Sequence, residues 1–310
     1  MIPNHLHFIF GLDPTFGGKP FSFIHYLAIR SAVVVNRPEK VNFYYAFEPS
    51  GYWWDMTKPL VNRLHVDLPS ARRLHFAHKA DLLRLEILLA QGGIYLDVDT
   101  FCVNRFEPLL GHKTVLGIEP NAGLCNAVIL AERNSEFISE WLRHYRTFDG
   151  SIWNYHSVRL PYRIAMEQPS LVHVEGQYSF FFPSYDDPMC DWLWRENLDG
   201  FHRVEGIRKV ILNYFTHYRR GEGPKVVWSY LRHAVSTRNW YRQRLRDAFC
   251  LHLWESLWWE KVLRDLDLEL IRQSACAFAD LVRQVIPDLH ADMPLTTAAS
   301  PKTDDCRDFR

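Results

Sequence analysis

The chain has 310 residues, of which 47% are hydrophobic and 15% aromatic, which is enough apolar material for one large core or two small ones and excludes a largely disordered chain. Thirty-six basic residues balance thirty-six acidic ones, so the basic excess of a general nucleic-acid binder is missing and no nucleic-acid partner is expected. No run of about 18 apolar residues occurs, and Met1-Ile2-Pro3-Asn4-His5 lacks the basic stretch and apolar core of a signal peptide, so a cytosolic location is expected.

Leu6 to Phe10 alternates apolar residues with histidine and predicts a first strand ending at Gly11. A loop rich in Gly and Pro over Asp13–Pro20 leads into a helix over Phe21–Asn36, stopped by Pro38. Val41–Phe47 is β-branched and aromatic and predicts a second strand, so the order strand–helix–strand implies a parallel βαβ unit. A third strand is expected near Leu64–Leu68, then a helix over Lys79–Gln91 closed by Gly92-Gly93, and a strand beginning at Ile94. Thr114–Ile118 and Ala127–Ala131 read as strands and Ser135–Tyr145 as a helix, whereas Trp153 to Gly200 mixes aromatics with prolines and yields no clear element. Helical periodicity dominates after Pro224, interrupted by the apolar stretch Phe249–Trp259, and residues from Thr297 onward read as a polar, disordered tail. The cysteines at 102, 125, 190, 250, 276 and 306 form no Cys-x-x-Cys pair and read as reduced, mostly buried thiols.

The chemistry concentrates in His78 to Asp99, HKADLLRLEILLAQGGIYLDVD. A helix over Lys79–Gln91 is apolar almost all round and therefore buried, and Asp81 and Arg84 share one face in its first turns. Charges there need partners. The helix descends about 15 Å from Asp81 to Gln91 and the next strand climbs about 13 Å from Gly93 to Asp97, so Asp81 and Arg84 return to the sheet edge that carries Asp97 and Asp99. That edge, at the carboxyl ends of the strands, is where α/β sheets bind ligands. Asp97 and Asp99 at i, i+2 point to one side of a strand and repel unless a cation lies between them or one is protonated. A hard divalent cation, Mg²⁺ or Mn²⁺, fits and would bridge phosphate oxygens. Asp-x-Asp alone also fits two solvated carboxylates at a strand-to-turn junction, and the buried charges on the preceding helix shift the balance toward a site. In Cys250–Trp259, His252 is a candidate nitrogen ligand and Ser256 and Trp258 candidate donors to phosphate, although taken alone this stretch fits a Trp-rich core strand better.

Ala80-Asp81-Leu-Leu-Arg84 followed by Gly92-Gly93-Ile-Tyr-Leu-Asp97-Val-Asp99 resembles the DXD-containing sugar-binding region of glycosyltransferase family 32. Ile2-Pro3-Asn-His-Leu-His7-Phe-Ile-Phe-Gly11 is similar to that family's first strand, with Phe10 where Trp is usual, and His252-Leu-Trp-Glu-Ser256-Leu-Trp258 to its C-terminal His and Trp loop. The resemblance implies an α/β GT-A fold with a helical C-terminal part, a UDP- or GDP-sugar donor, a glycan or lipid-linked acceptor, Mn²⁺ or Mg²⁺, and retention of anomeric configuration. The resemblance covers residues 2 to 259, so the catalytic domain is expected over residues 1–259, and composition and periodicity add a basic helical insertion at about 219–248, a helical segment over 260–296 and a tail over 297–310. By position it assigns the metal to Asp99 and His252 with Asp97, the donor sugar to Asp81, Arg84 and Asp97, the phosphates to Ser256 and Trp258, and the base to Phe8, Phe10 and Gly11. It brings Asn126 near the reacting centre beside Asp97 and Asp99.

Two rival readings follow from the residues. Ile94-Tyr-Leu-Asp97-Val-Asp99-Thr100 approaches the first motif of haloacid-dehalogenase phosphatases, but Thr100 arrives one residue early. A non-catalytic nucleotide-sugar-binding protein is the other. Arg219–Arg246, where Trp and Tyr interleave with arginines, reads as a solvated helical face or as a peripheral contact with an anionic membrane.

Overall fold

The N-terminal segment builds the parallel unit that its hydropathy pattern predicts. β1 (His5–Ile9) pairs with β2 (Lys40–Tyr45), and β2 with β3 (Asn62–His65), all in parallel, with α1 (Phe23–Asn36) as the first crossover and α2 (Tyr52–Thr57) before β3. The computed structural model describes residues 1–67, 75–187, 190–195 and 238–289. α1 begins two residues after the expected start because Ser22 and His25 form a reciprocal cap at its entrance. β3 covers Asn62–His65, earlier than Leu64–Leu68, because its register is set by pairing with Asn42–Tyr45.

α3 (Phe76–Gln91) starts three residues before the expected Lys79, and β4 (Gly93–Leu96) returns beside β1. β5 (Thr100–Cys102), β6 (Thr114–Glu119), β7 (Gly123–Ala131) and β8 (His173–Glu175) follow, and the seven-stranded sheet has the order β3-β2-β1-β4-β7-β6-β8. β7 runs antiparallel between β4 and β6, and it begins four residues before Ala127, so Asn126 lies inside the strand rather than at its entrance.

Each face of the sheet carries its own apolar layer. α3, α4 (Glu136–His144) and α5 (Leu160–Glu167) cover one face, where Leu85, Leu88, Tyr95, Ile129, Trp141 and Ile164 pack together. α1 covers the other with the C-terminal helices α6 (Arg238–Asp247), α7 (Leu268–Gln273) and α8 (Ala277–Val285), through Leu27, Ile94, Leu96, Tyr241 and Phe278. This is the mainly parallel mixed sheet, flanked by helices and ending in a helical part, that the GT-A expectation describes. β9 (Cys250–His252) leaves the main sheet and pairs antiparallel with β5, setting His252 opposite Thr100.

Most of the predicted basic segment, and the predicted tail from Thr297, lie outside the described residues. On α6 the part near Tyr241 packs inward, while Arg246 is exposed. Tyr241 is fully buried, Arg242 is ion-paired with Asp280, and the Arg244 guanidinium lies over the rings of Tyr178 and Trp240. Cys102, Cys125, Cys190, Cys250 and Cys276 are buried free thiols, as expected, and Cys306 lies outside the described residues. Among the described residues, no helix is long and apolar enough to cross a membrane.

The turn from α3 into β4 is tied to β1 by His7. Gly92 and Gly93 both have positive φ (67° and 115°), and a Cβ on Gly93 would lie 2.6 Å from His7 Nε2. Only glycine permits that approach. His7 Nε2 lies 2.9 Å from the Gly92 carbonyl, to which its N–H donates, and the ring is wholly buried. Burial pushes its pKa from the ordinary 6.5 to about 4. The unfolded chain therefore binds this proton more readily between those values, so stability is full above pH 6.5 and falls as pH drops toward 4. The loss is expected to reach about 3 kcal/mol. Urea unfolding of wild type and His7→Gln from pH 7 to 4.5 should show the extra acid sensitivity in wild type alone.

Candidate active site

β4 ends at Leu96, and Asp97 to Asp99 form the turn into β5, closed by Thr100 N–H donating to Asp97 O at 3.0 Å. The two carboxylates converge because the chain turns between them, not because they alternate along a strand as expected. Asp97 N–H donates to Ala127 O at 2.8 Å, which extends the β4–β7 pairing by one step and fixes Asp97 beside β7.

Arg84 joins the helix to this turn, as the matched lengths of α3 and β4 require. Its Nη1 donates to Asp97 Oδ1 at 3.0 Å and to Asn126 O at 2.8 Å, and its Nη2 lies 3.3 Å from Asp81 Oδ1. Asn126 Nδ2 donates to the same Asp81 oxygen at 2.7 Å. Asn126, Asp81 and Arg84 thus form one connected buried network that ends on the half-buried Asp97. Burial disfavours the Arg84 charge, but Asp97, Tyr95 and Asp81 outweigh it and hold the guanidinium ionised. Burial pushes the Asp97 carboxyl up, partly offset by Arg84.

Asp99 belongs to the late part of the chain. His252 Nε2 lies 3.3 Å from Asp99 Oδ1 and 4.0 Å from Asp97 Oδ2, and Glu255 N–H donates to Asp99 Oδ2 at 2.8 Å. Burial opposes the Asp99 charge, yet His252 and the Glu255 N–H outweigh it and bring the carboxyl down to about 2. Burial likewise opposes charge on His252, and Asp99 overcomes it, so the imidazole pKa rises. Ligand atoms of Asp97, Asp99 and His252 lie within 4.8 Å of one another. Two hard carboxylate oxygens and one imidazole nitrogen suit Mn²⁺, and Mg²⁺ less well, because Mg²⁺ favours an all-oxygen shell.

The other predicted residues divide. Phe8 is wholly buried in the core on the α1 side, so it is not open to a nucleotide base. Gly11 has φ 73°, and a Cβ there would lie 2.3 Å from Phe47 O, so strand packing alone explains the glycine. Phe10 is half-buried among Phe16, Phe21 and His25. Ser256 is exposed and Trp258 half-buried on the helical turn Glu255–Trp258, which starts on Asp99, with Lys261 Nζ 4.9 Å from the Trp258 ring centre.

Several site residues escaped the sequence reading. Tyr95 Oη donates to Asp97 Oδ1 at 2.6 Å, and its place two residues before Asp97 was the available signal. His78 Nδ1 lies 3.4 Å from Asp81 Oδ2, one helical turn earlier, and the exposed Trp153 packs 4.8 Å from the His78 ring. Glu255 has no local signal, because its partner Asp99 lies 156 positions away.

Residues 33–116 match the family described as the glycosyltransferase sugar-binding region containing DXD motif. The chain carries this DXD sugar-binding region. The matched stretch holds Asp81, Arg84, Asp97 and Asp99, while Asn126 and His252 lie beyond it. The chain is 40% identical over 202 residues to Glucan organizing enzyme 1 of Cryptococcus neoformans var. grubii, covering 60% of this chain and 55% of that protein. It is 32% identical over 88 residues to Inositol phosphoceramide mannosyltransferase 3 of Schizosaccharomyces pombe, covering 28% of this chain and 23% of that protein. The chain thus spans about half and about a quarter of the length of these relatives. Among solved structures it is similar to the glycosyltransferase GlyE of Streptococcus pneumoniae, with a TM-score of 0.44 and 10% identity over 93% of this chain and 64% of that one.

Within the DXD region, Arg84 neutralises the buried Asp81 and the half-buried Asp97 at once. Arg84→Met should destabilise the chain by about 3–5 kcal/mol, because Asp81 and Asp97 both lose the guanidinium that offsets their charge. Arg84→Lys should recover only part of this, since an ammonium cannot span Asp81, Asp97 and the Asn126 carbonyl together. Urea unfolding curves of the two variants measure the difference.

Proposed function

We propose that this site transfers a sugar from a nucleotide-diphosphate sugar, UDP- or GDP-linked, to a hydroxyl of a glycan or glycolipid, with a divalent cation and with retention of configuration. The observation that carries this reading is the convergence of Asp97, Asp99 and His252 beside the buried Asp81–Arg84–Asn126 network, within a chain that carries the DXD region. The names of these relatives, one a mannosyltransferase and one a glucan organizing enzyme, point the same way. Retention rests on the family resemblance.

Asp99, His252 and Asp97 would hold the cation, Mn²⁺ by the donor set, and when bound it offsets charge on the departing diphosphate. The chain's own residues divide the remaining work. Arg84 keeps Asp97 oriented and places a positive charge beside the donor. Asp81, fixed by Asn126 and Arg84, offers carboxylate oxygen to sugar hydroxyls at a position set before the donor arrives. Ser256 and Trp258, on the turn that starts at Asp99, would donate to phosphate oxygens. Trp153, 61% exposed and braced by His78 and His75, gives an acceptor sugar a flat aromatic face near Asp81.

Donor hydrolysis across UDP- and GDP-sugars with Mn²⁺ tests this reading. One nucleotide should be released, release should stop with chelator, and Asp99→Asn should fall to background. Trp153→Ala should keep that hydrolysis while raising the KM for a glycan acceptor about tenfold, the worth of roughly 1.4 kcal/mol of ring contact. Release from no donor, with no nucleotide bound, would sink the proposal.

The raised pKa of His252 adds a pH signature. Below that pKa the protonated imidazole balances Asp99 in the cation-free site, and a cation must displace that proton. Mn²⁺ affinity should therefore be full above the raised His252 pKa and weaken as pH falls through it. Calorimetric Mn²⁺ titration in buffers of different ionisation enthalpy would show proton release on binding below that pKa.

A further inference from the structure

The turn that brings Glu255 to Asp99 is held in an unfavourable shape. Trp254 has left-handed backbone angles (φ 53°, ψ 55°), which a bulky aromatic residue adopts only when its surroundings impose them. Its indole N–H donates to Pro183 O at 2.9 Å. On either side of the bend, Leu253 N–H donates to Asp99 O at 3.0 Å and Glu255 N–H to Asp99 Oδ2 at 2.8 Å. The bend therefore aims a backbone donor at the DXD carboxylate.

The Glu255 side chain reaches away from the site. Its Oε1 lies 2.9 Å from His25 Nε2, and its Oε2 lies 3.3 Å from Lys19 Nζ. His25 is wholly buried, with Phe10 at 5.0 Å and Phe21 at 5.1 Å between ring centres. Its tautomer is set by the start of α1, where Ser22 N–H donates to Nδ1 at 2.8 Å. The ring hydrogen is then on Nε2 and points at Glu255. The cap of α1 and the loop before it thus lock a residue more than two hundred positions later in the chain.

We propose that Glu255 is a positioning residue. Its side chain, locked by His25 and Lys19, holds its own N–H on Asp99 and so fixes the orientation in which Asp99 and His252 face a cation. This rests on the cation reading above and adds what presets the geometry. Outer partners of this kind are expected to govern cation affinity rather than supply ligands. Asp99 has one oxygen on Glu255 N–H and the other toward His252, so a loosened turn frees the carboxylate to rotate.

The test is Mn²⁺ binding to the full chain, followed by electron paramagnetic resonance of free Mn²⁺. Glu255→Ala keeps the backbone N–H and removes only the lock. It is expected to weaken Mn²⁺ binding about tenfold or more, with its donor-hydrolysis KM restored by excess Mn²⁺ and kcat largely kept. Glu255→Gln is expected to retain most of the affinity, because its amide oxygen still accepts from His25 Nε2. Equal Mn²⁺ binding by wild type and Glu255→Ala overturns the positioning role. Should the alanine variant fail to fold, Lys19→Ala removes half of the lock outside the core; weaker binding is expected, and unchanged binding overturns the proposal. A wild type that binds no Mn²⁺ overturns the cation reading itself, a result distinct from equal binding by all variants.

Discussion

The Arg84 guanidinium holds this molecule's site together. It lies 4.4 Å from the Tyr95 ring, contacts Asp81 and Asp97, and donates to a backbone carbonyl of β7. A buried cation is tolerated because its N–H groups find oxygen acceptors while the Tyr95 ring lies against it. The helix before the sheet edge, the turn at its end and the antiparallel strand beside it therefore meet at one side chain. Burying this charge restricts what else can vary, since the loss of any one partner exposes the others to an uncompensated interior charge.

The two carboxylates of the DXD turn are in different electrostatic settings although one residue separates them. Asp97 is drawn into the Arg84 network, where burial raises its proton affinity and the guanidinium lowers it. Asp99 is set against His252 and a backbone N–H and stays ionised well into acid. The pair thus offers one carboxylate bound to the fixed guanidinium and one set against the imidazole. A single Asp-x-Asp motif says nothing of this division, because it arises from what each oxygen meets across the fold.

Local chemistry made much of this architecture readable from the chain alone. The apolar helix with Asp81 and Arg84 on one face of its first turns, the Gly-Gly stop and the following strand were enough to place Asp81, Arg84, Asp97 and Asp99 at one edge, because helix and strand lengths are nearly invariant. Phe8 and Gly11 were harder, since a phenylalanine on a first strand and a glycine after it look alike whether they face a base or the core; the 2.3 Å approach to Phe47 O that decides Gly11 is a tertiary fact. The meeting of Asp99 with Glu255 and of Glu255 with His25 has no periodicity or spacing to announce it. It depends on β9 crossing to β5, a pairing between short strands that carries no pattern of its own.

That pairing has a consequence for how the protein comes into being. Strands β1 to β4 can form from the first hundred residues, yet Asp99 meets His252 and the Glu255 N–H only after the chain has been made through the ribbon of β5 and β9. Until then the DXD turn would hold its carboxylates without their late partners. Ribosomal synthesis proceeds from the N-terminus, and domains tend to fold as their segments emerge. The ordering of this site therefore comes late in biosynthesis, so that a chain stopped short of β9 would present a sheet with the carboxylate turn but without the imidazole that completes it.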